Sequence, residues 1–123
     1  MIPRSRNEAP SPQPETLLPL KSVETLMMTM LAGGERHGYG IRQDILEHSG
    51  GRIELEAGNL YRNIRRLESL GLIEASSQRH DPGDDERRIY YELTGRGRAA
   101  LEAELKRYRG VVAVAEGRLS YGN

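Results

Sequence analysis

The chain has no cysteine, no tryptophan and no phenylalanine among its 123 residues. The first absence excludes a disulfide framework and any thiolate metal site, and it suits a reducing compartment, so a cytoplasmic location is expected. Without tryptophan or phenylalanine the interior must be filled by aliphatic side chains, methionine and tyrosine, and a partner chain would help cover what one copy leaves open. No uninterrupted apolar run approaches the roughly 18 residues of a membrane span, and the N-terminus lacks a charged-then-apolar signal pattern, so neither a membrane partner nor export is expected. Net charge is missing too, with 18 basic residues against 18 acidic ones. Neutrality counts mildly against a nucleic-acid partner, which usually meets a basic excess.

What the chain does have is unevenly placed. Residues 59–66 hold three arginines and no acid, whereas Asp84, Asp85 and Glu86 gather elsewhere, so a positive face can coexist with a neutral total. Arginines outnumber lysines 16 to 2, which favours forked hydrogen bonding over point charges.

Residues 1–19 contain Pro3, Pro10, Pro12, Pro14 and Pro19. Proline at that density sustains neither helix nor ladder, and the segment reads as a flexible tail. From Ser22, Val23, Leu26, Met27, Met30 and Leu31 recur as the one-sided stripe of a packed helix, which Gly33-Gly34 ends. A second helix is expected from about Tyr39 to His48, with Ile41 and Ile45 one turn apart and Gly50-Gly51 closing it. A third is expected from about Ala57 to Leu70. Three helices joined by short glycine turns make a helix-turn-helix.

The third helix carries the sharpest signal. At about 100° per residue, Leu60, Ile64 and Leu67 fall on one side, and Asn59, Arg62, Arg65 and Arg66 on the other. Tyr61 and Asn63 sit on the flanks. Arginine forks bind guanine bidentately and asparagine binds adenine, so this face could read a major groove; alternatively it is an ordinary solvated surface.

After Gly71 the pattern changes to period two. Ile73 and Ala75 alternate with polar neighbours, and Ile89, Tyr91 and Leu93 alternate with Arg88, Tyr90 and Glu92. The hydrophilic connection 79–86 makes the pair a hairpin, or wing, whose Arg79, His80, Arg87 and Arg88 could follow phosphate or enter a minor groove. Thr94 suits an N-cap for the last helix. There Leu101, Leu105, Tyr108, Val112, Ala115 and Leu119 are spaced 4, 3, 4, 3, 4. That repeat is the mark of helices sharing a seam, although a helix lying on its own domain, with Gly110 and Gly117 weakening a long coil, is the other reading.

Other chemistries find little support. His80, Asp81, Asp84, Asp85 and Glu86 lack the ordered calcium-loop pattern, and His37 and His48 read as packing or exposed groups, so no metal is implied. No nucleophile elbow, phosphate loop or dinucleotide fingerprint occurs, so neither an enzyme nor a cofactor is expected.

Four segments in register resemble the PadR family of bacterial transcriptional regulators: His37-Gly38-Tyr39-Gly40-Ile41; Gly58-Asn59-Leu60-Tyr61-Arg62 with Arg66-Leu67-Glu68 and Gly71-Leu72-Ile73; Arg87-Arg88-Ile89-Tyr90-Tyr91-Glu92-Leu93-Thr94; and Gly97-Arg98. The likeness spans about residues 20–109. It implies a mainly helical winged helix-turn-helix over 20–95 with a small β-hairpin, a C-terminal dimerisation helix over 96–123, and usually repression. By the same likeness Tyr39 and Tyr61 would fix the helices on DNA backbone, and Tyr91 and Leu93 would seat the wing. Asn59 stands where the family commonly has Ser or Thr, and the aromatic sandwich that some relatives build with Trp has no counterpart here.

The expected function is therefore a homodimeric repressor on a pseudo-palindromic, double-stranded operator. A cavity beside the last helix could admit a small-molecule effector. The alternative is a winged-helix module that binds an acidic protein instead of DNA.

Overall fold

Helix α1 (Ser22–Leu31) runs through the middle of the protein and explains why its sequence is apolar on more than one side. The computed structural model describes residues 13–76 and 89–121. Around α1 stand α2 (Gly38–His48), α3 (Ala57–Ser69), α4 (Gly95–Tyr121) and an antiparallel sheet of β1 (Arg36–His37), β2 (Ile73–Ser76) and β3 (Tyr90–Leu93), in the order β1-β3-β2. Because α1 touches α2, α3, α4 and β3, its buried surface is wider than the expected stripe. Met27, Met28 and Leu31 are buried and so are Glu24 and Thr25, whereas Val23, Leu26 and Met30 are only partly covered.

The helix-turn-helix follows the sequence reading closely. Ile41 and Ile45 of α2 share one core with Leu60, Ile64 and Leu67 of α3. The expected limits of both helices lie within one residue of those observed. Between them Leu55 is buried, and its carbonyl accepts from the Arg42 Nε–H, so the connection is tied back onto α2.

The sheet departs from expectation in two respects. Strand β1 has no counterpart in the sequence pattern, since two residues are too few to show a period. It pairs Arg36 with Tyr91 and His37 with Tyr90. Strand β3 is consequently the central strand, and its expected alternation fails: Tyr90 and Tyr91 are both buried, while Ile89 is 52% exposed. The His37 ring meets Tyr90 edge-on at 5.2 Å, which covers a side chain that a two-stranded hairpin would have left in water.

A tight junction joins α3, β2 and α4. Thr94 is the expected N-cap: its hydroxyl accepts from the Gly97 N–H at 2.9 Å and donates to the Gly71 carbonyl at 2.7 Å. Arg96 Nε donates to the Leu70 carbonyl at 2.9 Å, satisfying one of the free carbonyls at the end of α3. A Cβ on Gly97 would stand 1.9 Å from the Leu72 carbonyl oxygen, so only glycine allows this approach.

The tail is shorter than the expected 1–19. Pro14–Leu17 forms a 3-10 turn against α4, Leu17 and Leu18 pack on the core, and Leu20 is buried within it. Three leucines within four residues outweigh the neighbouring prolines, because each leucine buried adds about 1.5–3 kcal/mol. Residues 1–12 lie outside the described residues. Helix α4 is continuous across Gly110 and Gly117. Its first turns dock through Ala100, Leu101 and Glu104, and from Leu105 onward most of its side chains are exposed.

Candidate nucleic-acid interface

Helix α3 presents the two faces its spacing implies. Leu60, Ile64 and Leu67 are buried, and Arg62, Arg65 and Arg66 are on the exposed side. The apolar face holds the helix to α1 and α2, so the outward arginines are carried on a rigid element. Asn59 and Asn63, partly buried, form an amide pair in which Asn63 Nδ2 donates to the Asn59 carbonyl at 2.8 Å and to its Oδ1 at 3.0 Å. Arg62 Nη2 reaches the same Oδ1 at 3.5 Å, which pre-orients the guanidinium along the outer face.

Arg66 behaves differently from its neighbours. Its Nε donates to the Glu24 carboxylate, which is fully buried, while about half of the Arg66 side chain stays exposed. It is thus a tie between α3 and α1 whose side chain stays half exposed. Beside it opens a cleft of about 340 Å³ lined by Lys21, Ser22, Val23, Asn59, Arg62, Asn63 and Arg66. Three cations and two amides around one cleft at the start of α1 make a surface suited to an anionic backbone.

The sequence singled out Tyr39 and Tyr61, and the fold brings both to the N-terminus of α2. Tyr39 is 50% exposed and lies parallel to the His37 ring, with centroids 6.4 Å apart. Tyr61 places its hydroxyl against Gly38, where an added Cβ would lie 2.7 Å away. The local motif has a physical reason: the His37 Nδ1 accepts from the Gly40 N–H at 3.0 Å and caps α2, and Gly38 leaves room for Tyr61 to cross from α3. His37 is therefore more than the packing group its sequence context suggested. Tyr91, behind the arginine face, is buried; burial pushes its phenol above the usual tyrosine range, Glu68 and Tyr61 add to this, and Arg65 opposes it.

The four wing residues Arg79, His80, Arg87 and Arg88 lie outside the described residues. The acidic group 81–86 lies there as well. On α2, Asp44, Glu47 and His48 bring one ligand atom each within 4.8 Å of one another, although the sequence reads His48 as a packing or exposed group with no second ligand at helical spacing. Asp44 is already paired with Arg36 Nε at 2.6 Å.

The seam expected on the last helix needs one correction. Leu101 is buried in the chain's own core and is not available to a partner. The repeat begins where α4 is docked and continues past the body, so its inner member serves the fold and Leu105, Tyr108, Val112, Ala115 and Leu119 run outward. Among these, Leu105, Val112 and Leu119 are 39%, 51% and 69% exposed, and Val111 and Val114, which the repeat omitted, are exposed beside them. Among the described residues no helix is long and apolar enough to cross a membrane.

A family model for PadR-like transcriptional regulators matches residues 27–103. The chain belongs to the PadR-like family. Its members bind DNA as transcriptional regulators and are not enzymes. A PadR family transcription regulator from hypervirulent Clostridium difficile R20291 is 27% identical, with a TM-score of 0.67 over 80% of this chain and 99% of that one. RosR from H. salinarum is 26% identical, with a TM-score of 0.61 over 85% of this chain and 98% of that one. An uncharacterized protein X from Lysinibacillus sphaericus is 27% identical over 94 residues, 76% of this chain and 84% of its own length. This PadR-like chain is accordingly a DNA-binding transcription regulator with the winged-helix fold.

Proposed function

We propose that this PadR-like regulator acts in the cytoplasm as a homodimeric repressor whose two α3 helices enter successive major grooves of a pseudo-palindromic operator. The observation that carries the reading is the division of α3, with Leu60, Ile64 and Leu67 anchored inside and Arg62 and Arg65 on the exposed side. In this arrangement Arg62, Arg65, Asn59 and Asn63 meet base edges. Tyr39, Tyr61, Lys21 and the outer nitrogens of Arg66 meet phosphate, and Arg79, His80, Arg87 and Arg88 extend the contact along the wing.

Dimerisation through α4 fits the exposed apolar side chains beyond Leu105, which a lone chain would leave in water. With two-fold symmetry the half-sites lie about 10 bp apart or a multiple of it. Occupancy near a promoter then blocks transcription. A small-molecule effector that changed the spacing of the two α3 helices would relieve it by linkage.

The test is genomic selection of duplex fragments on the purified chain, followed by titration of the selected duplex at several salt concentrations. A DNA reader loses affinity steeply as salt rises, with log K falling by about 0.9 per phosphate neutralised for each tenfold rise in salt. Selection of an inverted repeat with that slope supports the proposal. Failure to enrich any duplex, or a salt-independent affinity, overturns it.

A further inference from the structure

Two carboxylates, Glu24 on α1 and Glu104 on α4, are fully buried, and the interface described above uses neither for DNA. A buried carboxylate is tolerated only when charged or N–H donors surround it, and both are satisfied by the same device. Glu24 Oε1 accepts the Lys21 backbone N–H at 2.9 Å and its Oε2 accepts from Arg66 Nε. Glu104 Oε2 accepts the Leu20 backbone N–H at 3.0 Å and Arg107 Nη2 at 3.0 Å, and its Oε1 accepts Arg107 Nε at 2.6 Å. The two main-chain donors belong to consecutive residues. One short strap, anchored by the buried Leu20 side chain, thus links the arginine on the recognition helix to the arginine on the last helix.

Both ends of this chain are functional in position. Arg66 lines the cationic cleft with Arg62, and Arg107 borders the apolar groove of Gly110, Val111 and Val114 that a partner helix covers in the proposed dimer. We propose that Glu24 and Glu104 are positioning residues for DNA recognition, coupling the pose of α3 to the state of α4 through the strap at Leu20-Lys21. The inference rests on the DNA-binding reading above. When the Arg107–Glu104 pair opens, Glu104 keeps a single donor, and water entry or lifting of the strap relieves the buried charge. Lifting moves the Lys21 N–H away from Glu24, Glu24 loosens its hold on Arg66, and the Arg66 guanidinium leaves its pose on the outer side of α3. Coupling of this kind works in both directions, so operator binding would in turn tighten the Arg107–Glu104 contact.

The experiment is Glu104→Gln in the full chain, which keeps the side-chain shape and removes the charge. In NMR, exchange of the Arg66 Nε–H is compared with that of the Arg42 Nε–H, which ties α2 to the Leu55 carbonyl in the connection to α3 and serves as an internal control for general loosening. Arg66 exchange at least about threefold faster with Arg42 unchanged supports the coupling; no change in Arg66, or an equal rise in both, overturns it. On the selected operator, Glu104→Gln should lower the ratio of operator to scrambled-duplex affinity about tenfold without altering the salt slope. A ratio within twofold of wild type overturns the link to recognition. If the wild-type chain binds no duplex, the DNA reading fails and the exchange comparison alone decides the coupling.

Discussion

Helix α3 and the outer part of α4 both show solvent what a lone globular domain would hide or dilute, but of opposite kinds. On α3 the exposed groups are guanidiniums on a helix whose other side is locked into the core; on α4 they are valines and leucines on a helix that docks only through its first turns, up to Glu104. A fixed cationic face suits a stiff polyanion, because the cost of ordering long side chains is lowered when the backbone beneath them cannot move. An apolar run projecting from a small body suits a copy of itself. The two surfaces therefore assign different partners within one chain of zero net charge.

The comparison breaks most severely if the anchored side of α3 is removed. Leu67 has no exposed surface, so Leu67→Ala should cost about 2–5 kcal/mol of stability, read as a fall in the denaturation midpoint, with DNA affinity lost only in proportion to the unfolded fraction. If the midpoint stayed within 1 kcal/mol of wild type, the claim that α3 is rigidly carried would fail.

Next in size is the α4 surface. Leu105→Asp should abolish the dimer by light scattering while leaving the fold intact by circular dichroism, because a charge buried in an apolar seam without a partner is strongly unfavourable. An unaltered dimer mass would move the interface away from this helix.

The arginines sharpen the comparison further. Arg65→Ala should cost about 1–3 kcal/mol of operator binding if the side chain contacts a base and leave stability within about 0.5 kcal/mol. Arg66→Ala should in addition lower stability by about 1–3 kcal/mol, since it strips a donor from the buried Glu24 carboxylate. Identical stability in the two variants would mean that the Glu24–Arg66 pair contributes nothing to holding α3 in place.

What was legible in the sequence followed from periodicity. The two faces of α3, the limits of α2 and α3 and the Thr94 cap all came from the 3.6-residue period and cap chemistry, which act locally. The features that escaped depend on contacts distant in the chain. Tyr90 is covered only because β1 lies beside β3, and Leu101 serves the core only because α4 folds back before it projects. Glu24 and Glu104 read as surface charge by composition, as most glutamates are. A signal was nonetheless present: Glu104 and Arg107 are three apart on one helix, and Glu24 stands three residues beyond Lys21, where a capping carboxylate belongs. The docking of residues 17–20 was likewise written in Leu17, Leu18 and Leu20, and the surrounding prolines concealed it.

The smallest effect expected is the response to acid, and it distinguishes the two helices by a different route. The Arg107 fork holds the Glu104 carboxyl below the usual glutamate range, burial opposes this, and the Leu20 N–H reinforces it. A group whose folded pKa is depressed contributes stability that is present above its unfolded value and is lost as pH falls through the folded one. The docking of residues 17–20 on α4 should therefore be unaffected from neutrality down to about pH 4.5, the ordinary glutamate value, and weaken below it. Because 40% of the Arg107 side chain is in water, screening keeps the loss modest. Thermal midpoints of wild type and Glu104→Gln should converge as pH drops below that value, the wild type losing what the variant already lacks. If the two midpoints stayed a constant distance apart down to pH 3, ionised Glu104 would not be what fastens the N-terminal segment to α4.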